Sequence, residues 1–170
     1  MSSGLLLLIY VTLQRLVELA IARRNTRKLL DRGAYETGAT HYPAMVALHA
    51  TWLVTLWVFG WNRELVAGFA LFFIVLQAGR FWVLRTLGER WTTRIIMTPW
   101  APPVTSGPFR FVRHPNYLVV AFELPCVSLA LGLVWHALAF GILNLMMIAW
   151  RIRSENAAYR ELTAPGGSHA

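Results

Sequence analysis

The stretch Tyr117-Leu-Val-Val-Ala-Phe-Glu-Leu-Pro-Cys-Val-Ser-Leu-Ala-Leu-Gly-Leu-Val-Trp-His-Ala-Leu-Ala-Phe-Gly-Ile-Leu-Asn-Leu-Met-Met-Ile-Ala-Trp150 decides the fold. It is apolar and too long for one membrane span, because about 20 helical residues already cross a hydrocarbon core of about 30 Å. Gly132 and His136 lie near its middle, so the run reads as two rather short helices joined by a tight turn. Three more apolar stretches precede it, at about 5–22, 42–60 and 65–84. The expectation is an all-α integral membrane protein with about five transmembrane helices.

Composition agrees. Hydrophobic residues make up 56% of the 170-residue chain, charged residues 14%, and the mean hydropathy is +0.48. A soluble domain of this length has too little interior for so much apolar surface, and disorder requires the opposite composition. The first stretch is not read as a signal peptide, since its basic residues follow the apolar part and no small-residue cleavage pattern is present. Cys126 is the single cysteine, so there is no intrachain disulfide, and no Cys/His spacing suits zinc. Residues 1–163 read as one domain and 164–170 as a disordered tail.

The net charge of +8 points to a membrane surface rather than nucleic acid in so apolar a chain. Arg23, Arg24, Arg27, Lys28 and Arg32 follow the first stretch. Arg85, Arg90, Arg94, Arg110 and Arg113 follow the third, and Arg151, Arg153 and Arg160 follow the last. Five spans put all of these on one side and leave only Arg63 opposite. The positive-inside rule then expects an outside N-terminus and a cytoplasmic C-terminus.

Charged residues inside the spans are costly and by default point to function. Arg15 and Glu18 read as a structural pair. Arg80, three residues after Gln77, either snorkels to the interface or lines a cavity. Glu123 has no basic residue within helical reach and shares a face with Asn116, seven residues earlier. The expectation is that Glu123, Asn116 and Arg80 line a substrate cavity, with a pairing of Glu123 to Arg80 or Arg15 as the structural alternative. Asn144 reads as a helix–helix hydrogen bond. His41, His49 and His136 read as packed or interfacial.

Segment 85–116 is too long for a default connection. Trp91–Met97 reads as a short strand or irregular arm, and Pro99, Pro102, Pro103 and Gly107-Pro108 as turns. The densest signal is Val104-Thr-Ser-Gly-Pro-Phe-Arg-Phe-Val-Arg-His-Pro-Asn-Tyr117. Pro115 suits the first turn of a helix. The free N–H groups there, with Arg113 and His114, could hold a carboxylate or phosphate. The bland reading is a basic loop on anionic lipid. Arg151 and Glu155 lie one turn apart on a continuation of the last helix. Both ends of the 117–150 hairpin return to one face, so Glu155 is expected to meet Arg113 and His114.

Gly107-Pro-Phe-Arg-x-x-Arg-His-Pro-Asn-Tyr117, then the hairpin, then Arg151-Ile-x-x-Glu155, resembles the isoprenylcysteine carboxyl methyltransferase family. Leu87-Gly-Glu-Arg-Trp-Thr-Thr-Arg-Ile-Ile96 with Ala101-Pro-Pro-Val-Thr-Ser-Gly is similar to its small bacterial branch, associated with O-methylation of alkylpyrones and related polyketide lipids. The resemblance covers about residues 85–162. It implies S-adenosylmethionine in a cytoplasmic pocket covered by the 85–116 loop, with no metal. It implies that His114 and Tyr117 help bind the methionine end, that Val104, Thr105 and Gly107 line the adenosine, and that Pro115, Arg151 and Glu155 also bind the cofactor. It makes Arg113 and Glu155 the polar pair at the reacting centre. Asn156 departs from the acidic residue of eukaryotic members. The alternatives are a prenylcysteine or phospholipid acceptor, an NADPH-dependent membrane reductase with a similar Arg-His-Pro-Asn-Tyr run, and a lipid-binding scaffold.

Overall fold

The computed structural model describes residues 2–163; the tail read as disordered lies outside them. Five α-helices run between the same two ends of the molecule: α1 (Ser3–Asp31), α2 (Tyr42–Gly60), α3 (Ala67–Leu87), α4 (Pro115–Ala130) and α5 (Val134–Thr163). Two three-residue strands, β1 (Tyr35–Thr37) and β2 (Ile95–Met97), pair antiparallel. Four helices are long and apolar enough to cross a membrane. At 16 residues, α4 rises about 24 Å, shorter than a full hydrocarbon core.

Local sequence sets most boundaries. The Ser2 hydroxyl accepts a hydrogen bond from the Leu5 N–H and caps α1. At its other end Gly33 takes φ +89° while the Ala34 N–H reaches the Leu29 carbonyl, a turn that glycine makes without strain. Pro115 opens α4 at a position where its missing N–H costs nothing. The hairpin breaks at Gly132, φ +69°, with the Leu133 N–H returning to Ser128 O at 2.9 Å.

Two spans differ in extent from the sequence reading. The helix α1 reaches Asp31 rather than Ala22, and α5 reaches Thr163, so the fifth helix is long, not short. Polar residues such as Arg24, Lys28 and Arg153 continue a helix as readily as apolar ones, and a hydropathy boundary marks where lipid ends, not where the helix ends.

Contacts at the two ends assign them. At one end the Gly4 N–H bonds Arg63 O at 2.9 Å, and the Val66 N–H bonds Ala130 O at 2.9 Å. At the other, Lys28 and Arg32 meet Glu89, and buried Asn25 donates to the carbonyls of Gly88 and Trp91. The basic segments therefore gather at one end. A core of Leu8, Val11, Trp52, Leu56, Leu124, Val127 and Leu131 fills the opposite half of the bundle. Outside, α1–α5 carry exposed Leu, Ile, Val and Phe side chains, as a lipid-facing bundle must.

Candidate functional site

The 104–117 segment lies across the basic end, between α3 and α5. Gly107 has φ +58°, and a Cβ there would stand 2.5 Å from the Thr86 hydroxyl. Only glycine permits both the turn and this approach to α3. Pro108 is buried beneath it. The chain then turns into α4 with His114 as the cap residue.

A cavity of about 540 Å³ opens beside this turn, within the usual range for small-molecule sites. Its walls come from α4 (Asn116, Tyr117), the 104–114 segment (Val104, Phe109, Arg113, His114), strand β2 with its flanks, and α5 (Arg151, Glu155, Asn156, Tyr159). Glu155 accepts a 2.8 Å hydrogen bond from the Tyr117 hydroxyl, and His114 Nδ1 lies 3.9 Å from the same carboxylate oxygen. The His114 and Tyr117 rings stand 5.4 Å apart, tilted by 32°. Arg151 donates to Thr93 O at 2.9 Å, touches the Met45 sulfur and lies over the Tyr117 ring.

Sequence residues distribute as follows. Val104, Arg113, His114, Asn116, Tyr117, Arg151 and Glu155 share this one cavity. Thr105, Gly107 and Pro115 do not line it. Thr105 is exposed, Gly107 packs on Thr86, and Pro115 is buried at the start of α4. Glu155 meets His114 as expected, but its hydrogen bond goes to Tyr117, and among the described residues no ion pair joins it to Arg113. Arg113 is exposed on the loop wall.

A second cavity, about 340 Å³, is mainly apolar and runs into the bundle between α1, α2, α4 and α5. Leu16 and Val46, both exposed on the outer surface, sit on its rim. The two cavities have Trp91, Thr92, Asn116, Tyr117 and Arg151 in common. They are two chambers with one wall.

A buried ionic cluster borders the second chamber, with Arg15, Glu18 and Arg80 on its wall. Arg80 donates from Nη1 to Glu123 at 2.6 Å and from Nη2 to Glu18 at 2.6 Å, with its Nε also on Glu18. Arg15 pairs with Glu123 at 2.7 Å and Glu18 at 3.2 Å. Gln77 and Gln14 each donate at 2.9 Å, to Glu123 and Glu18 respectively. Two cations and two anions thus balance, which an isolated buried charge does not achieve. Arg80 does not snorkel. It lines the second chamber and is 5% exposed. Glu123 is wholly buried and lines neither chamber, standing behind Arg15 and Arg80. The Arg15–Glu18 pair belongs to a larger constellation than its sequence neighbourhood indicated. Asn144 donates to Val120 O at 3.0 Å, joining α5 to α4.

Trp91 lies where the covering 85–116 loop was expected, whereas sequence reasoning missed Thr92 and His49 as cavity residues, and missed β1. Gly33 and Gly38, which bracket Ala-Tyr-Glu-Thr, were the available signal. The register Tyr35 to Met97, Glu36 to Ile96 and Thr37 to Ile95 holds β2 over the cavity. Arg94 secures it, donating to both Glu36 oxygens and stacking 4.2 Å from the Tyr42 ring centre. That hydrogen bonding holds the Arg94 pKa above its ordinary value.

Several buried polar atoms at the polar cavity lack a protein partner: His114 Nε2, Asn116 Oδ1, Asn156 Oδ1 and Trp91 Nε1. Such atoms are costly unless a ligand or water completes them. The donor set suits a zwitterionic, aromatic cofactor. Glu155 can meet a cation, His114 and Arg113 an anion, and Tyr117, Phe109 and Trp91 a flat ring. Among the described residues no three His, Cys, Asp or Glu side chains gather to hold a metal ion.

The chain is 33% identical over 161 residues to the uncharacterized protein YpbQ of Bacillus subtilis, covering 92% of this chain and 96% of that one. It is 27% identical over 155 residues to an uncharacterized protein of Haemophilus influenzae, covering 87% and 90%. No solved structure matches it. The model of the isoprenylcysteine carboxyl methyltransferase (ICMT) family matches residues 68–161, the part that builds both α4–α5 and the polar cavity, and the chain belongs to that family.

Proposed function

We propose that this protein is a membrane-embedded, S-adenosylmethionine-dependent O-methyltransferase acting on a lipidic acceptor, with an alkylpyrone- or alkylresorcinol-type polyketide favoured. One observation carries the reading. A polar chamber at the basic end and an apolar chamber open toward lipid share a wall at Asn116, Tyr117 and Arg151. A water-soluble cofactor and a lipid can thus meet without either crossing the other's solvent.

The cofactor supplies a methyl group on a sulfonium, ready for displacement by an oxygen nucleophile. In this reading His114, Tyr117 and Glu155 bind its amino-acid end, and Val104 and Phe109 flank its base. Tyr117 orients the Glu155 carboxylate through their 2.8 Å hydrogen bond, so that the negative charge faces the cationic centre. Arg113 neutralises an oxyanion as it approaches. Arg151, fixed by Thr93 and stacked on Tyr117, holds the shared wall in place. Positioning of this kind supplies much of the rate in a displacement that needs in-line geometry. All five helices cross the membrane in this reading, with α4 as the short span, the N-terminus outside and the polar chamber in the bacterial cytoplasm. The gathering of basic segments at one end supports that orientation.

Calorimetry on detergent-purified protein tests the reading. S-adenosylhomocysteine is expected to bind saturably and NADPH not. His114→Ala and Glu155→Ala are each expected to weaken the former by about tenfold or more, with folding intact by circular dichroism. NADPH binding alone would replace the methyltransferase with a reductase. Full turnover by Arg113→Ala and Glu155→Ala would remove those two residues from the site.

A further inference from the structure

The apolar chamber is not apolar throughout. Its lining includes Arg15 and Glu18 of α1, His49 of α2 and Arg80 of α3. His49 Nδ1 lies 2.9 Å from the Met45 carbonyl, so Nδ1 carries the proton and Nε2 is left as an acceptor. The Arg15 terminal nitrogens form ion pairs with Glu18 and Glu123, its Nε has no partner, and its Cζ lies 6.0 Å from the Trp52 ring centre. Nearby on the chamber wall the Asn144 Oδ1 is buried and also without a partner. A chamber built only for an alkyl chain would be destabilised by the unpartnered Arg15 and Asn144 atoms, since an unpaired buried polar atom costs about 1–3 kcal/mol.

We infer that Arg15 and His49 form a second polar subsite in the acceptor chamber, which takes a hydroxyl on the acceptor other than the oxygen that is methylated. The hydroxyl accepts from the Arg15 guanidinium and donates to His49 Nε2. The acceptor is therefore a lipid with two hydroxyls, which selects the alkylresorcinol type of the reading above over a hydroxypyrone, whose other oxygens carry no proton to donate. This rests on the lipid-acceptor reading above. It also gives the buried cluster a role. Glu18 and Glu123 fix the direction of the Arg15 guanidinium, and Arg80 holds those carboxylates in place. Glu123 is then a positioning residue that acts through Arg15 without touching the lipid.

A site built to bond a hydroxyl rejects the analogue that lacks it, and this is the quantity to measure. Binding of 5-pentadecylresorcinol and 3-pentadecylphenol to the protein in nanodiscs would be compared by thermophoresis. These two probes differ by one hydroxyl. The wild type is expected to prefer the resorcinol by about tenfold or more. His49→Phe is expected to bring the ratio close to one. His49→Gln, whose amide reaches the Nε2 position, is expected to restore it. Glu123→Gln is expected to reduce the ratio partially, through Arg15. Equal binding of the two lipids by the wild type, failure of either to bind, or a ratio unchanged in His49→Phe overturns the subsite. S-adenosylhomocysteine binding, measured on the same preparations, keeps the two readings apart. Cofactor binding without lipid discrimination removes the subsite and leaves the methyltransferase. Discrimination without cofactor binding keeps the subsite and removes the methyltransferase.

Discussion

The polar cavity and the ionic cluster bordering the apolar chamber use the same residue types to opposite ends. In the cluster, the two cations and two anions of Arg15, Arg80, Glu18 and Glu123 pair with one another, and Gln14 and Gln77 donate to the carboxylates. Every charge there has a counter-charge, although Arg15 Nε and Gln14 Oε1 keep no partner. In the cavity, His114, Asn116 and Asn156 have buried polar atoms with no partner, and Glu155 is held by a single tyrosine. Where charges have lost water permanently, the fold must balance them. Where a ligand is to arrive, pairing polar groups in advance would compete with it. The distinction separates a network that holds helices together from one that waits for an occupant.

The largest expected effect tests the first half of that comparison. Arg80→Leu leaves two carboxylates in the bundle with Arg15 as their only cation. Breaking a buried pair in this way costs about 3–5 kcal/mol. Thermal unfolding in detergent should show a drop of many degrees, while a Glu155→Ala protein unfolds close to the wild type. Equal melting temperatures for the two variants would erase the contrast. A smaller effect belongs to the cavity's frame. Gly107→Ala places a Cβ against Thr86 at a φ of +58° and should cost about 1–2 kcal/mol. Thr86→Ser in the same chain, which removes the crowding methyl but keeps the hydroxyl, should recover only part of the loss. The smallest effect lies on the ribbon. Arg94→Ala removes a half-exposed pair with Glu36, worth about 1 kcal/mol or less and weakened by salt. The raised Arg94 pKa means that its contribution is present below the guanidinium's ordinary value and lost only far above neutrality. Stability of this pair should therefore be flat between about pH 6 and 9.

Much of the architecture was legible in one dimension. The helix α2 spans Tyr42–Gly60 as its hydropathy indicated, the hairpin turns at Gly132, and α4 starts at Pro115. The family motif from Gly107 to Tyr117 marked the polar cavity before any geometry was known. The site's interior was legible only in part. His114 and Glu155 come together as their positions on one face required, whereas the hydrogen bond to Glu155 comes from Tyr117 and not from an arginine. Glu123 stands behind the chamber, not on its wall. His49, read as a packed or interfacial histidine, lines it.

Where helices start and turn, and which of their ends share a side, follows from the sequence alone, because hydropathy, proline, glycine and charge act locally and add up along the chain. Which side chains meet is settled by three-dimensional packing. The rotation of each helix about its axis sets that Arg80 of α3 lies between Glu18 of α1 and Glu123 of α4. The pairing of Tyr35–Thr37 with Ile95–Met97 sets which residues cover the polar cavity. Those rotations and pairings are fixed by packing over the whole bundle, where no single stretch of sequence carries the information.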